Sequence, residues 1–98
     1  MKLLIAKKNL KSNLQKLLRN CGYTLQYQEL NRKSFIRRLA KLDYPRFHLY
    51  VEENEPNFLI SLHLDQKKPV YKGTVSHQGE YDGAIIDNEF NRIKTILL

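Results

Sequence analysis

Two short runs in the middle of the chain, Phe47 to Val51 and Phe58 to Asp65, alternate apolar and polar residues with a period of two. Strand side chains point to opposite faces in turn, so a helix would scatter these sets and a strand gathers them. Phe47, Leu49 and Val51 face one way while Arg46, His48 and Tyr50 face the other. In the second run Phe58, Ile60, Leu62 and Leu64 form the apolar set, and Leu59, Ser61, His63 and Asp65 oppose it. A hairpin turning through Glu53-Asn54-Glu55-Pro56 pairs position 52 with 57, 48 with 61 and 46 with 63, which keeps both apolar sets on one face. His48, His63 and Asp65 then share the polar face with Arg46.

Other segments supply what covers the apolar face. Leu10, Leu14, Leu17, Leu18 and Cys21 recur at helical spacing, and Gly22 is placed to stop a first helix. Leu3 to Ala6 reads as a short strand before it or as an early start of the helix, since Leu3, Leu10 and Leu17 also share a helical face. Tyr23, Leu25 and Tyr27 alternate with Thr24, Gln26 and Gln28, which predicts a strand over 23–28. Phe35, Ile36, Leu39 and Leu42 suggest a second helix, capped by Asn31 or Ser34 and ended at Tyr44-Pro45. Its other side would carry Arg32, Lys33, Arg37, Arg38 and Lys41, a like-charge cluster that weakens an isolated helix. Residues 70–75 read as a further strand, 76–83 as a loop bearing His77, and Ile86, Phe90, Ile93 and Leu97 as one face of a closing helix. The expected class is α+β: an antiparallel sheet with its hairpin at 46–52 and 57–65, packed on one face by amphipathic helices.

At 98 residues the chain fits a single domain, 1–98, with one core. A mean hydropathy of -0.55 and the lack of any apolar run near the roughly 20 residues of a spanning helix lead to the expectation of a cytoplasmic protein without membrane contact. The lone Cys21 excludes an internal disulfide and reads as a small buried hydrophobe.

The net charge of +7 is unevenly distributed. Residues 1–46 hold twelve Lys and Arg against Glu29 and Asp43, net +10, whereas 47–98 hold five against eight acids, net -3. Such asymmetry fits a polyanion partner, RNA or another polyanion such as an acidic protein surface; a protein-interaction module without chemistry is the alternative. Lys8, Lys11, Arg32, Lys33, Arg37, Arg38 and Arg46, with Lys67 and Lys68, are the candidate phosphate contacts, and Tyr50 a candidate stacking surface. The oligomeric state is left open.

The polar hairpin face suggests chemistry as well. His48 and His63 could move protons at a phosphodiester, Arg46 could hold the phosphate, Asp65 could orient His63, and His77 could reach in from its loop. The same His48, His63, Asp65 and His77 offer nitrogen and oxygen ligands to a divalent metal, although no spacing defines such a site and no cofactor is expected.

Three resemblances accompany these residues. From residue 31 onward the expected order helix, three strands, helix is similar to a double-stranded RNA-binding domain, but Asp87-Asn88-Glu89 stands where that family starts its last helix with lysines. The Tyr-Pro-Arg-Phe-His-Leu-Tyr strand and the apolar strand after it, within Arg37 to Lys68, resemble the small basic RelE/ParE toxins. That likeness implies messenger RNA cleavage or gyrase inhibition, with Arg46 and His63 as functional side chains. The runs YPRFHLYVEE, HLDQKKP and HQGEYDG resemble short bacterial proteins, a likeness that implies no activity.

Overall fold

A computed structural model describes residues 1–66 and 83–98. Five strands form one antiparallel sheet: β1 (Lys2–Ala6), β2 (Thr24–Gln28), β3 (Arg32–Arg38), β4 (Arg46–Asn54) and β5 (Asn57–Asp65). Their spatial order is β1-β5-β4-β3-β2. Two helices, α1 (Leu14–Asn20) and α2 (Gly83–Leu97), pack against one face, which confirms the α+β class. Neither is long and apolar enough to cross a membrane. The strand expected over 70–75 lies outside the described residues.

The apolar alternation sets the core. Ile5, Phe35, Phe47, Leu49, Val51, Ile60 and Leu62 from the sheet meet Leu14, Leu17 and Leu18 of α1 and Phe90, Ile93 and Leu97 of α2. Helix α1 begins at Leu14, four residues later than the apolar spacing suggests, because the Asn13 side chain accepts a hydrogen bond from the Lys16 amide at 3.1 Å and caps it there. Lys7–Asn9 form a single 3-10 turn before it. Gly22 ends the helix at a φ of 96°, where a side chain is strained, and a Cβ there would sit 3.3 Å from Arg37 Nε.

The hairpin turns two residues tighter than expected. Asn54 pairs with Asn57 around Glu55 and Pro56, so Tyr50 faces Ser61, His48 faces His63 and Arg46 faces Asp65. A shift of two residues preserves every face, which is why the polar set is still correct.

The segment expected as a second helix is strand β3, paired with both β2 and β4. Two local features account for this. Phe35 and Ile36 are both buried, on opposite faces: Phe35 joins the helix-side core and Ile36 lies beside His48. The strand also divides the cations, placing Arg32 and Arg38 on one face and Lys33 and Arg37 on the other, where a helix would crowd them. Leu39 and Leu42, the expected continuation of the apolar stripe, are exposed.

A bulge between Leu25 and Tyr27 is a further departure from simple alternation. Leu25 opposes Phe35 and Tyr27 opposes Ser34, so Leu25 faces the helices while Tyr27 turns to the other face.

A buried ion cluster ties α2 to the sheet. The Tyr23 hydroxyl donates to Glu89 Oε2 at 2.7 Å, and Arg92 donates to both Glu89 oxygens at 2.7 and 2.8 Å and to the Cys21 carbonyl at 2.7 Å. Arg37 Nη1 lies 3.6 Å from the same carboxylate. Burial opposes ionisation of Glu89, but the hydrogen bonds from Arg92 and Tyr23 outweigh it and hold the carboxyl below its ordinary pKa. Burial, followed by the Glu89 hydrogen bond, pushes the Tyr23 phenol far above the usual range.

Candidate functional site on the face opposite the helices

Register arranges the second sheet face in cross-strand rows. One row runs Arg32, Glu52, Leu59, Leu4; the next Tyr27, Ser34, Tyr50, Ser61, Lys2; the next Thr24, Ile36, His48, His63; the last Arg38, Arg46, Asp65. Rows two residues apart along a strand are separated by about 7 Å.

The last two rows form a connected group. His48 Nδ1 lies 2.9 Å from Asp65 Oδ2 and 3.2 Å from the Tyr50 hydroxyl. A carboxylate only accepts, so the Nδ1–H donates to Asp65, which in the neutral ring leaves the lone pair on Nε2. Nε2 is buried and, among the described residues, has no hydrogen-bond partner. Arg46 Nε approaches the same Asp65 oxygen at 3.6 Å, and its guanidinium lies 4.6 Å from the centre of the Tyr44 ring. Tyr50 stacks on His48 with centroids 4.1 Å apart and meets His63 edge-on at 5.4 Å. Asp65 therefore orients His48 and not its strand neighbour His63, because the tighter turn places it diagonally across from His48.

Local electrostatics separate the two other rings of the group. Partial desolvation, then the amino-terminal charge of Met1, lowers the His63 pKa below 6.5, so the ring is neutral at pH 7. Desolvation, then the Asp65 charge, raises the Tyr50 pKa, and the phenol keeps its proton.

Next to Tyr50 the face sinks into a shallow depression of about 320 Å³, bordered by Arg32, Glu52, Leu59 and Ser61. A second concavity of about 230 Å³ lies on the helix side, with Leu14, Phe35, Val51 and Phe58 among its walls, away from the histidines.

The chain matches no family model, no curated protein and no solved structure among known proteins.

The cations singled out from the sequence do not converge on one surface. Arg32, Arg38 and Arg46 share the histidine face, whereas Lys33 and Arg37 turn to the helix side. There Lys33 reaches Gln15 at 3.4 Å and Arg37 is drawn to Glu89. Lys8 lies in the 3-10 turn, and Lys11 binds the Thr95 carbonyl at 3.0 Å. Two of the face arginines have acidic neighbours outside the histidine group: Arg38 contacts Asp43 at 3.1 Å and Arg32 lies 4.0 Å from Glu52. Lys67, Lys68 and His77 lie outside the described residues. Among the described residues no group of three or more His, Cys, Asp or Glu side chains could hold a metal ion. Cys21 is buried, and burial raises its thiol pKa, which suits a packing role.

Sequence reasoning missed Glu52 and Tyr27. Alternation puts Glu52 on the polar face but nothing in its neighbourhood marks a role for it, and Tyr27 changes face through a bulge with no proline or glycine to announce it.

Proposed function

We propose that the protein binds RNA across the sheet face opposite its helices. The observation that carries this reading is an exposed aromatic ring, Tyr50, in the middle of a face that also carries the exposed Arg32 and Arg38 and the more deeply set Arg46. Stacking on tyrosine tolerates any base, and arginine forks fit phosphate oxygens. The ion pairs of Arg32 and Arg38 are exposed contacts of small individual worth, so a phosphate can replace their carboxylates. Three phosphate contacts on a single strand give a slope of log affinity against log salt of about -2. Fluorescence anisotropy with a labelled single-stranded RNA measures that slope, and Arg38→Ala should reduce its magnitude by about 0.7. Lys16→Ala, on α1, should leave it unchanged. Lack of binding at low salt, or a flat salt dependence, would overturn the reading.

The His48–Asp65 contact favours a second activity on the same face, cleavage of the bound strand. In the neutral ring Asp65 holds the proton on Nδ1 and leaves the Nε2 lone pair to accept one. Because Nε2 is buried, the groups that cover it would first have to move aside; it would then take the 2′-hydroxyl proton as the 2′-oxygen attacks phosphorus, Arg46 would stabilise the charge on the phosphoryl oxygens, and the 5′-oxygen would leave with a proton from solvent. His63, neutral at pH 7, is poorly suited to supply that proton. The products would be a 2′,3′-cyclic phosphate and a 5′-hydroxyl end. Cleavage in the presence of a chelator that disappears in His48→Ala supports this activity; cleavage undiminished in that variant rules it out.

A further inference from the structure

The depression beside Tyr50 has a donor and acceptor pattern of its own. Arg32 and Glu52 are direct cross-strand partners, yet their closest approach is only 4.0 Å, with side chains 69% and 39% exposed. They stand side by side as one donor fork and one acceptor pair, available to a ligand. The Tyr50 ring, 45% exposed, borders the depression on one side, Leu59 provides an aliphatic surface, and the Ser61 hydroxyl adds a small polar group. Lys33 and Val51 complete the lining through backbone, since their side chains turn to the other face.

An aromatic ring beside an aliphatic surface suits a planar base, and the polar pair then decides which base fits. Along the Watson–Crick edge guanine presents an acceptor, O6, followed by two donors, N1–H and the N2 amine. A carboxylate takes both donors in a bidentate contact while a neighbouring guanidinium donates to O6. Adenine and cytosine each turn at least one lone pair toward the carboxylate, and uracil has only one donor between two acceptors. Guanine is the one standard base with two adjacent donors. We infer that this depression is a guanine-recognition site, with Glu52 reading N1–H and N2–H, Arg32 reading O6 and Tyr50 stacking on the ring. The inference rests on the RNA-binding reading and gives it a base preference: at a guanosine Arg32 turns from phosphate to O6 and keeps Glu52 as its neighbour, while Arg38 and Arg46 hold the phosphates. It also places the guanosine, stacked on Tyr50, one row from His48 and two rows from Arg46 and Asp65, the direction in which the adjoining phosphate would lie.

Two measurements test it. The first is anisotropy with labelled decauridylates carrying one central guanosine, inosine or adenosine. Guanosine should bind at least about fivefold tighter than adenosine, with inosine, which lacks the N2 amine, between them. Glu52→Gln should erase that preference without weakening the adenosine strand, since it removes a negative charge from the face. Glu52 is half-exposed and its contact with Arg32 is long, so the variant should retain the fold, which circular dichroism verifies. The second measurement is the amide chemical-shift response to GMP and to AMP, where GMP should move Tyr50, Glu52 and Leu59 at lower concentration. Equal affinity for the guanosine and adenosine strands, with the salt slope intact, overturns guanine recognition and leaves RNA binding standing. A preference that survives Glu52→Gln overturns the assignment to this depression. A selective GMP response without affinity for any strand supports the guanine site and overturns the RNA-binding reading. Failure of both measurements overturns both.

Discussion

Replacing Glu89 with alanine should destabilise the protein far more than its charged, helix-borne position suggests. The carboxylate is 5% exposed and accepts hydrogen bonds from Tyr23 and twice from Arg92, with Arg37 3.6 Å away. Removing it strands a buried hydroxyl and leaves two guanidiniums without their anion. Breaking a buried ion pair from one side costs about 3–5 kcal/mol. Arg37 and Arg92 are 33% and 36% exposed and can turn partly to water, which places Glu89→Ala near about 3 kcal/mol. Against a total stability of about 5–15 kcal/mol that is a large share, and for a domain of this size it lowers Tm by about 12–24 °C. Urea unfolding followed by far-ultraviolet circular dichroism measures it. Tyr23→Phe alone should cost about 1.5 kcal/mol, and the two substitutions should be non-additive by about 0.5 kcal/mol or more, since they remove one shared hydrogen bond. A Glu89→Ala protein within about 1 kcal/mol of the parent, or strict additivity with Tyr23→Phe, would show that the carboxylate does not anchor α2.

The strand assignment of residues 32–38 predicts that Phe35→Ala costs about 3–5 kcal/mol. Leu42→Ala should change stability by less than about 0.5 kcal/mol, and comparable losses at both positions would restore the helical reading. Stability should also fall on acidification. The folded pKa of Glu89 lies below its ordinary 4.5, so its contribution is present above that value and is lost as pH falls toward the folded pKa. His63 acts in the same direction, because its lowered pKa lets the unfolded chain take up a proton first as pH drops below 6.5. Denaturant midpoints at pH 7.5, 5.5 and 3.5 should decrease in that order, and His63→Gln should flatten the first step; a midpoint that rises on acidification contradicts both assignments.

Alternation around Phe47–Val51 and Phe58–Asp65 was enough to identify the hairpin, its buried face and the side on which His48, His63 and Arg46 stand. Parity accounts for that robustness, since a register error of two residues moves no side chain to the other face. The same error changed the chemistry, because facing partners depend on register rather than parity. A wider loop paired Arg46 with His63, whereas the observed turn sets Arg46 across from Asp65 and brings that carboxylate to His48. Apolar spacing alone could not separate helix from strand over 32–38, where Phe35, Ile36 and Leu39 satisfy a helical stripe.

What the sequence determined by itself is the class of fold and the composition of its faces, through periodicities that each segment carries locally. It also determined the excess of cations before Phe47. Only the tertiary structure decided where those cations go. Inserting β3 between β2 and β4 sends Arg32 and Arg38 to the histidine face and Arg37 to the buried Glu89. The reason is that β3 becomes a strand by completing the hydrogen bonds of its two neighbours and burying Phe35 and Ile36 on opposite faces. Those gains exist only once the sheet has assembled.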